Sequence, residues 1–356
     1  MEIKVVPLAK EELKPKYESE ENLGFGQIFT DRMLVSHYQE GWSDPIIQKY
    51  EPLTLDPAAI CLQYGQAIFE GQKAYLSRSG SINLFRPNKN IERFKASATR
   101  MVMPSINDNL YFEGLKELLR LEKDWIPSSI GSSLYIRPTM LGIDGRLGVQ
   151  PSRNFLFYII LSPSGPFFPE GFKPVKIYVS DFWIRAAPGG TGFAKTGGNY
   201  GASLLVGEEA TKMGCDQVLW LDAIHKKYVE EVGAMNIFFI IDDVIYTAPL
   251  QSGTILAGVT RESVIYIAKD LGYKVKEEAL SIERIVDCIK NKTLTECFGS
   301  GTAASIAPVG ALIYKSEEYI INDFELGPIS QILYDRLIGI QYGLIPDPYN
   351  WIVSIY

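Results

Sequence analysis

The sequence predicts a mixed α/β fold of the α+β kind, divided into about two domains. Three observations support this prediction. The chain has 356 residues, and a domain commonly contains about 100–200. Strand-like and helix-like segments are mixed along its first half. A segment rich in proline and glycine, 162–174, then interrupts the pattern and is the candidate linker.

The first half is predicted to begin as antiparallel sheet. Strand-like sequences cover 27–36 and 72–77, and turn residues before a further apolar run at 82–85 indicate a hairpin. Apolar residues at helical spacing after Asn90, a candidate N-cap, predict a helix that leaves Arg93 off its apolar stripe. A second helix is expected near 111–123, and strands are expected at 132–139 and 154–161.

The candidate linker holds four prolines and two glycines in thirteen residues, so neither a helix nor a β-ladder is expected there. It separates a small N-terminal α/β domain, 1–161, from a larger C-terminal domain, 175–356. A predicted helix near 261–271 ends at Gly272, a suitable C′ residue. The other elements expected in the second half are strands at 175–180, 217–221, 228–232, 237–241 and 244–247, and a helix at 201–213.

Composition excludes several classes of protein. With 35 basic and 42 acidic side chains the net charge is −7, which disfavours a nucleic-acid partner. The chain has two histidines, too few for a three-histidine metal site, and its four cysteines show no C-x-x-C spacing, so we expect reduced thiols and no metal. The first 22 residues contain six glutamates and no arginine, unlike a targeting signal, and no apolar run could span a membrane. We therefore expect a cytoplasmic protein.

The most unusual window is 189–201, where six glycines surround Lys195 in thirteen residues. Glycine at this density costs backbone entropy, which indicates a close approach to a ligand or a sharp turn that aims one side chain. A lysine amine held there, with little water around it, could attack a carbonyl to form a Schiff base. The alternative is a flexible surface loop with an ordinary lysine.

Two further segments resemble phosphate cups. Gly258 and Val259 precede Thr260, which would cap a helix whose N-terminus favours an anion. The segment 299–303 is a second turn of small and hydroxyl residues, and it includes Thr302 and Ala303. Each segment alone could be plain capping or turn structure. Together with Arg93, the two could hold one phosphate monoester.

A pair of acids, Glu230 and Glu231, enters a very apolar strand. Neighbouring residues of a strand point to opposite faces, so only one of the two can face a site. That carboxylate is either solvated at the strand end or paired with a buried cation. A lysine for a Schiff base, a phosphate cup and a carboxylate for a ring nitrogen together describe a pyridoxal phosphate site.

At this point the sequence resembles the branched-chain-amino-acid aminotransferases, members of the class IV aminotransferases, over nearly its whole length. The resemblance implies a two-domain pyridoxal-phosphate enzyme of fold type IV, similar to D-amino-acid aminotransferase. The matching segments, in the same order and spacing, are 25–31, 64–71, 85–87, 134–138, 189–201, 231–236, 258–261 and 298–303.

The resemblance also implies roles for single residues. Lys195 would form the Schiff base, Tyr200 would hydrogen-bond the cofactor's phenolic oxygen, and Glu231 would keep the pyridinium nitrogen protonated. The phosphate would be held by Arg93, Val259, Thr260 and Thr302. An apolar substrate pocket would come from Phe25, Tyr64, Phe69 and Tyr135, with Arg137 for the side-chain carboxylate of glutamate and with Tyr64 and the backbone of Thr302 and Ala303 near the α-carboxylate.

The implied function is that of a homodimeric transaminase acting between leucine, isoleucine or valine and 2-oxoglutarate. Alternatives on the same fold are a D-amino-acid transaminase and an aminodeoxychorismate lyase, and an alternative of another class is a non-catalytic phosphate-binding module. Gln63, Phe167 and Ala234 depart from residues common in the family, which concerns fine substrate preference rather than the reaction.

Overall fold

The computed structural model describes residues 2–166 and 172–355. The chain divides into two compact units: the first unit comprises Met1–Pro169, Ala194–Gly197 and Ile340–Tyr356, and the second comprises Glu170–Phe193 and Gly198–Gly339. The chain end was expected in the C-terminal domain, but 340–356 groups with the first unit because its last strand pairs with a strand of that unit. Residues 167–171 of the predicted linker, Phe167 among them, lie outside the described residues.

The first unit is built on a sheet of nine strands. Its strands are β1 (Lys4–Val5), β2 (Arg32–Gln39), β3 (Ile46–Lys49), β4 (Ala67–Phe69), β5 (Gln72–Leu76), β6 (Ile82–Phe85), β7 (Ser133–Gly142), β8 (Asn154–Ser164) and β18 (Ile352–Ile355). All the pairings of the central strands are antiparallel, as the sequence predicted, and the hairpin of β5 and β6 is confirmed.

The helices of the first unit are α1 (Ile60–Tyr64), α2 (Pro87–Arg100) and α3 (Asp108–Leu121). Phe94 of α2 and Tyr111 of α3 pack with Phe157 in the core of this unit. The assignment of Asn90 as an N-cap is wrong: α2 begins at Pro87, whose fixed φ suits a first helical position, and Asn90 lies buried within the helix.

The predicted linker is also partly wrong. Residues 162–164 continue strand β8, and Pro163 is paired with Leu134 of β7. Proline removes only one backbone donor, and here the neighbouring residues continue the ladder. Composition alone therefore placed the end of the strand too early.

The second unit contains another sheet of nine strands. Its strands are β9 (Val175–Ser180), β10 (Gln217–Leu221), β11 (Val229–Val232), β12 (Met235–Ile241), β13 (Val244–Thr247), β14 (Lys274–Glu277), β15 (Leu294–Gly301), β16 (Ser305–Tyr314) and β17 (Glu317–Ile320). The additional pairing of β11 with β12 closes a ring made of β9, β10, β11, β12, β15 and β16.

The remaining helices are α4 (Gly197–Gly201), α5 (Leu204–Lys212), α6 (Val259–Asp270), α7 (Ile282–Lys290) and α8 (Pro328–Gln341). The single helix predicted at 201–213 is replaced by α4 and α5, which are separate. Helix α6 begins at Val259 with Gly258 as its N-cap, so the prediction of Thr260 as the cap is wrong. Its predicted end is confirmed by Leu271 as C-cap and by Gly272, which has a φ of +86°.

Within 2–166 and 172–355, no helix is long and apolar enough to cross a membrane. Over the same residues, no group of three or more histidine, cysteine and acidic side chains is arranged to hold a metal ion.

Asp144 organises the turn between β7 and β8. Its carboxylate accepts hydrogen bonds from the backbone of Arg153 at 2.8 Å and from the side chain of Asn154 at 2.6 Å, and it pairs with Arg146. Burial would raise the pKa of Asp144, but these donors outweigh that effect and lower the pKa to about 2. The ionised carboxylate therefore stabilises the folded state.

We expect Asp144→Asn to lower the free energy of unfolding by about 2 kcal/mol at pH 7. Because the folded pKa is depressed, the contribution is complete above the ordinary carboxylate pKa of about 4 and is lost as the pH falls through about 2. Urea unfolding of both proteins at pH 7 and pH 3 checks this. A difference that does not shrink at pH 3 would contradict the role of ionisation.

Candidate active site

The glycine-rich loop fixes the backbone of Lys195 within the first unit. The backbone amide of Lys195 donates to Ser97 Oγ of α2 at 2.9 Å, and its carbonyl accepts from the amide of Phe69 at 3.0 Å. The hydroxyl of Thr196 donates to the carbonyl of Ala67 at 2.7 Å. The lysine amine lies 4.8 Å from the centre of the Phe69 ring. The half-buried side chain of Lys195 therefore starts from a backbone held by β4 and α2, so it is not part of a loosely attached loop.

At two positions of this loop the backbone geometry requires glycine. Gly189 has a φ of +78°, a conformation that costs other residues energy. A Cβ at Gly192 would lie 2.7 Å from the Cα of Thr254, so the two backbones could not approach as they do. A turn that needs glycine is therefore observed at Gly189, whereas the close approach at Gly192 is to the protein's own backbone at Thr254. The predicted approach to a ligand stays a prediction.

Arg93 is held by a carboxylate that the sequence analysis did not single out. Its Nε and Nη2 lie 2.7 Å and 2.9 Å from the two carboxylate oxygens of Glu70, whose side chain is fully buried. Asn90 donates to the same carboxylate at 2.9 Å. The signal available in the sequence was an acid between two short apolar strands, inside a segment that carries the family resemblance.

Three of the predicted pocket residues come together with Arg137. The rings of Phe25 and Tyr135 meet edge to face at 4.8 Å, and the guanidinium of Arg137 lies 4.7 Å from the centre of the Phe69 ring. Its Nη2 donates to the Tyr135 hydroxyl at 3.2 Å, which confirms that both side chains share one face of β7. The hydroxyl of Tyr64, on α1, instead donates to the carbonyl of Leu147.

Arg137 is also incompletely partnered. Among the described residues its buried Nε has no hydrogen-bond partner. A half-buried guanidinium with a buried, unused donor beside aromatic rings is unfavourable unless it meets an anion. This geometry suits a ligand carboxylate.

In the second unit, Glu231 is buried on β11 and tightly held. Its carboxylate forms an ion pair with Arg185 Nε at 2.8 Å and accepts a hydrogen bond from the amide of Leu256 at 2.8 Å. Of the two alternatives for this acid, pairing with a buried cation is therefore the one observed. Sequence reasoning missed Arg185, because nothing in the local pattern marks an arginine as buried.

A cavity of the second unit brings Glu231 and Tyr200 together. Ala234, which departs from the family pattern, also lines this cavity. Gln63, which departs from that pattern as well, lies in the first unit, and its side-chain amide donates to the carbonyl of Pro57. The lining of this cavity includes Arg185, Asn199, Tyr200, Glu231, Ala234 and Leu256.

Glu230 lines a different, largely apolar cavity, as the alternation of a strand predicts. It is nevertheless buried, and it accepts a hydrogen bond from the Thr254 hydroxyl. Burial raises its pKa above the ordinary value despite that hydrogen bond. Glu230 is therefore less readily ionised than a solvated glutamate.

Asn236 connects the two predicted phosphate cups of the second unit with Glu231. Its amide donates to the carbonyl of Leu256, just before α6, at 3.0 Å, and its backbone is paired with Ser300 of β15. The turn expected at 299–303 is shorter than predicted, because strand β15 extends to Gly301. Thr302 and Ala303 lie in the turn that leads to β16. Val259 and Thr260 occupy the first turn of α6, whose backbone amides have no partners inside the helix.

Comparison with known proteins gives consistent matches. Residues 67–312 match the family model described as amino-transferase class IV. The chain is 49% identical over 337 residues to branched-chain-amino-acid transaminase 1 of Bacillus subtilis, covering 94% of both chains. It is 48% identical over 344 residues to branched-chain-amino-acid aminotransferase 2 of the same organism, covering 96% of this chain and 94% of that protein.

Solved structures agree in fold. The branched-chain amino acid aminotransferase of Escherichia coli has a TM-score of 0.76 at 30% identity and covers 87% of this chain and 97% of its own. The branched-chain amino acid aminotransferase of T.th., solved with pyridoxamine 5′-phosphate, has a TM-score of 0.76 at 28% identity and covers 90% of this chain and 98% of its own.

Proposed function

Because the chain belongs to the class IV amino-transferase family, as its motifs indicated, we propose that it transfers the amino group between leucine, isoleucine or valine and 2-oxoglutarate. The proposed substrate class is supported by the 49% identity to a branched-chain-amino-acid transaminase over nearly the whole chain. The mixed α/β, fold-type IV architecture agrees with this reaction. We further propose a cytoplasmic location and a homodimeric state, and light scattering of the purified protein tests the homodimeric state.

The proposed cofactor is pyridoxal 5′-phosphate, and the residues present fit it. A buried carboxylate, Glu231, lines a cavity with the phenol of Tyr200, and Arg93 presents a guanidinium whose orientation is fixed. When bound, the cofactor supplies an aldehyde for exchange of amines and a ring that withdraws electrons from the substrate Cα. Its phosphate would be held by Arg93, by the amides of Val259 and Thr260 at the start of α6, and by Thr302.

The side chains then divide the work of the reaction. Lys195 would bind the cofactor through its amine, and the same amine, when free, would move a proton between the substrate Cα and the cofactor C4′. Glu231 would hold a proton on the ring nitrogen, since an opposite charge nearby favours the protonated form. Arg185 and the Leu256 amide hold the Glu231 carboxylate in place. Tyr200 hydrogen-bonds the phenolic oxygen.

The substrate side chain is proposed to contact Phe25, Phe69 and Tyr135, while Arg137 receives the second carboxylate of glutamate or 2-oxoglutarate. The α-carboxylate is proposed to bind near the backbone of Thr302 and Ala303 and near Tyr64. Because the Tyr64 hydroxyl donates to Leu147 in this structure, its role requires that this hydrogen bond be exchanged for one to the substrate.

The proposed function is tested with the two enantiomers of leucine and 2-oxoglutarate as amino acceptor. Formation of glutamate and 4-methyl-2-oxopentanoate from the L-enantiomer alone is expected. Reaction of the D-enantiomer instead would favour a D-amino-acid transaminase, and release of pyruvate from aminodeoxychorismate would favour a lyase. A protein that binds the cofactor and converts none of these would contradict the proposal.

Arg137→Ala is expected to raise the KM for 2-oxoglutarate by about 10- to 100-fold, because only dicarboxylates use the guanidinium and a charged hydrogen-bonding contact contributes about 1.5–3 kcal/mol. The kcat/KM of the half-reaction with leucine should change several-fold at most. Steady-state and single-turnover kinetics separate the two effects. Equal losses for leucine and for glutamate would show that Arg137 only supports the fold of β7.

A further inference from the structure

Glu70 has no role in the function proposed so far, although it is the centre of a buried polar cluster. It follows β4, and its fully buried carboxylate accepts from Arg93 Nε at 2.7 Å and Nη2 at 2.9 Å. Asn90 donates to it at 2.9 Å, and the amide of Gly71 donates to it at 3.1 Å. Four donors thus converge on one carboxylate.

Such a cluster is expensive to build. Removing a carboxylate and a guanidinium from water is unfavourable for each ion, and their attraction offsets this only with good geometry and further hydrogen bonds. Burial would raise the pKa of Glu70, yet the charges and hydrogen bonds of Arg93, the charge of Lys195 and the Asn90 amide lower it overall. The carboxylate is therefore ionised, and the pair is a genuine ion pair.

The geometry restricts what Arg93 can do. A guanidinium is planar and rigid, so a carboxylate that engages Nε and Nη2 fixes the direction of Nη1 as well. An arginine oriented in advance loses less side-chain entropy when it binds an anion than one that rotates freely.

We propose that Glu70 is a positioning residue that orients Arg93 toward the phosphate of the cofactor. This inference rests on the proposed function, in which Arg93 contacts that phosphate. This role predicts that removing the charge of Glu70 changes the affinity for the phosphate in the direction opposite to the one expected from charge alone. Coulomb's law alone states that removing the negative charge of Glu70 strengthens the attraction of Arg93 for a phosphate, whereas loss of orientation weakens binding.

The test uses the full-length enzyme reconstituted either with pyridoxal 5′-phosphate or with pyridoxal, which lacks the phosphate. In Glu70→Gln we expect the affinity for pyridoxal 5′-phosphate to fall by about 10- to 100-fold, the size of a lost contact between charged groups. The affinity for pyridoxal should stay within about threefold, since no phosphate is present to be misaligned. Arg93→Ala should show the same selective loss, and the double variant should bind no more weakly than Arg93→Ala alone.

A matched control is available in the same unit. Glu122 is also fully buried and pairs with an arginine, Arg32, at 2.7 Å. Glu122→Gln removes an equivalent buried ion pair, so it should lower stability without changing the ratio of the two affinities. A change in that ratio equal to the one in Glu70→Gln would show that the effect is general destabilisation, and it would overturn the inference.

The remaining outcomes separate this inference from the proposed function. If Arg93→Ala retains the wild-type ratio, the phosphate contact assigned to Arg93 is wrong. If Arg93→Ala loses affinity while Glu70→Gln binds pyridoxal 5′-phosphate as well as the wild type or better, the positioning role alone is overturned. Should Glu70→Gln fail to fold, Glu70→Asp keeps the charge but is one methylene shorter, and it is expected to show a smaller loss of the same kind.

Discussion

Replacing Lys195 with alanine is expected to lower the kcat of transamination between leucine and 2-oxoglutarate by about 10⁴-fold or more. The variant loses the amine proposed both to bind the cofactor aldehyde and to move the Cα proton, and proton transfer alone commonly contributes about 10²–10⁴-fold. Much of the noncovalent affinity for the cofactor should remain, because the proposed phosphate contacts do not involve the lysine. Stopped-flow and steady-state assays measure the loss.

The control for this experiment is a second lysine of the same unit. Burial lowers the pKa of Lys73 to about 8, so this amine is also a credible nucleophile on chemical grounds. Borohydride reduction of the enzyme with bound pyridoxal 5′-phosphate, followed by peptide mapping, should place the label on Lys195 and not on Lys73. A label on Lys73, or near wild-type turnover by Lys195→Ala without added amine, would contradict the assignment.

Local sequence predicted the short strands of the second unit well. The bounds of β9, β10 and β13 were predicted to the residue. Each is a short run of mainly β-branched, aromatic or aliphatic residues, so the signal lies within the element itself. By contrast, β18 pairs with β6 from the far end of the chain. No local pattern could indicate that partner, and the expected domain boundary was wrong there for the same reason.

In the candidate site, too, the sequence indicated local features but not contacts between residues that are distant in sequence. Lys195 stood out because its glycines are a local feature, and Glu231 stood out because of the strand that follows it. Their supporting residues did not stand out. Glu70 and Arg185 act through ion pairs with residues distant in sequence, Arg93 and Glu231, and a charged residue gives no sign in the sequence that it is buried. Motifs thus identified the residues proposed to meet the cofactor, but not those that hold them in place.

Glu231→Gln is expected to slow each half-reaction by about 10²–10³-fold, the usual cost of losing one preorganised electrostatic contact. The amide cannot stabilise a proton on the ring nitrogen as a carboxylate does. It also leaves Arg185 as a buried cation without its counter-ion, which adds a stability cost of about 3–5 kcal/mol. Thermal unfolding must therefore accompany the single-turnover rate of amino transfer from leucine, and the rate is compared only where both proteins are folded.

Glu230→Gln is the matched control, since it is the same substitution one residue earlier on β11. The structure gives a better reason than strand alternation alone to expect an unchanged rate in this variant. Glu230 lines another cavity, and burial raises its pKa, so an amide resembles the protonated form that its surroundings already favour. Its single-turnover rate should stay within about threefold of the wild type, since no contact to the cofactor is lost. If Glu230→Gln is slow and Glu231→Gln is normal, the two carboxylates have exchanged roles, and the cavity that contains Tyr200 is not where the ring nitrogen binds.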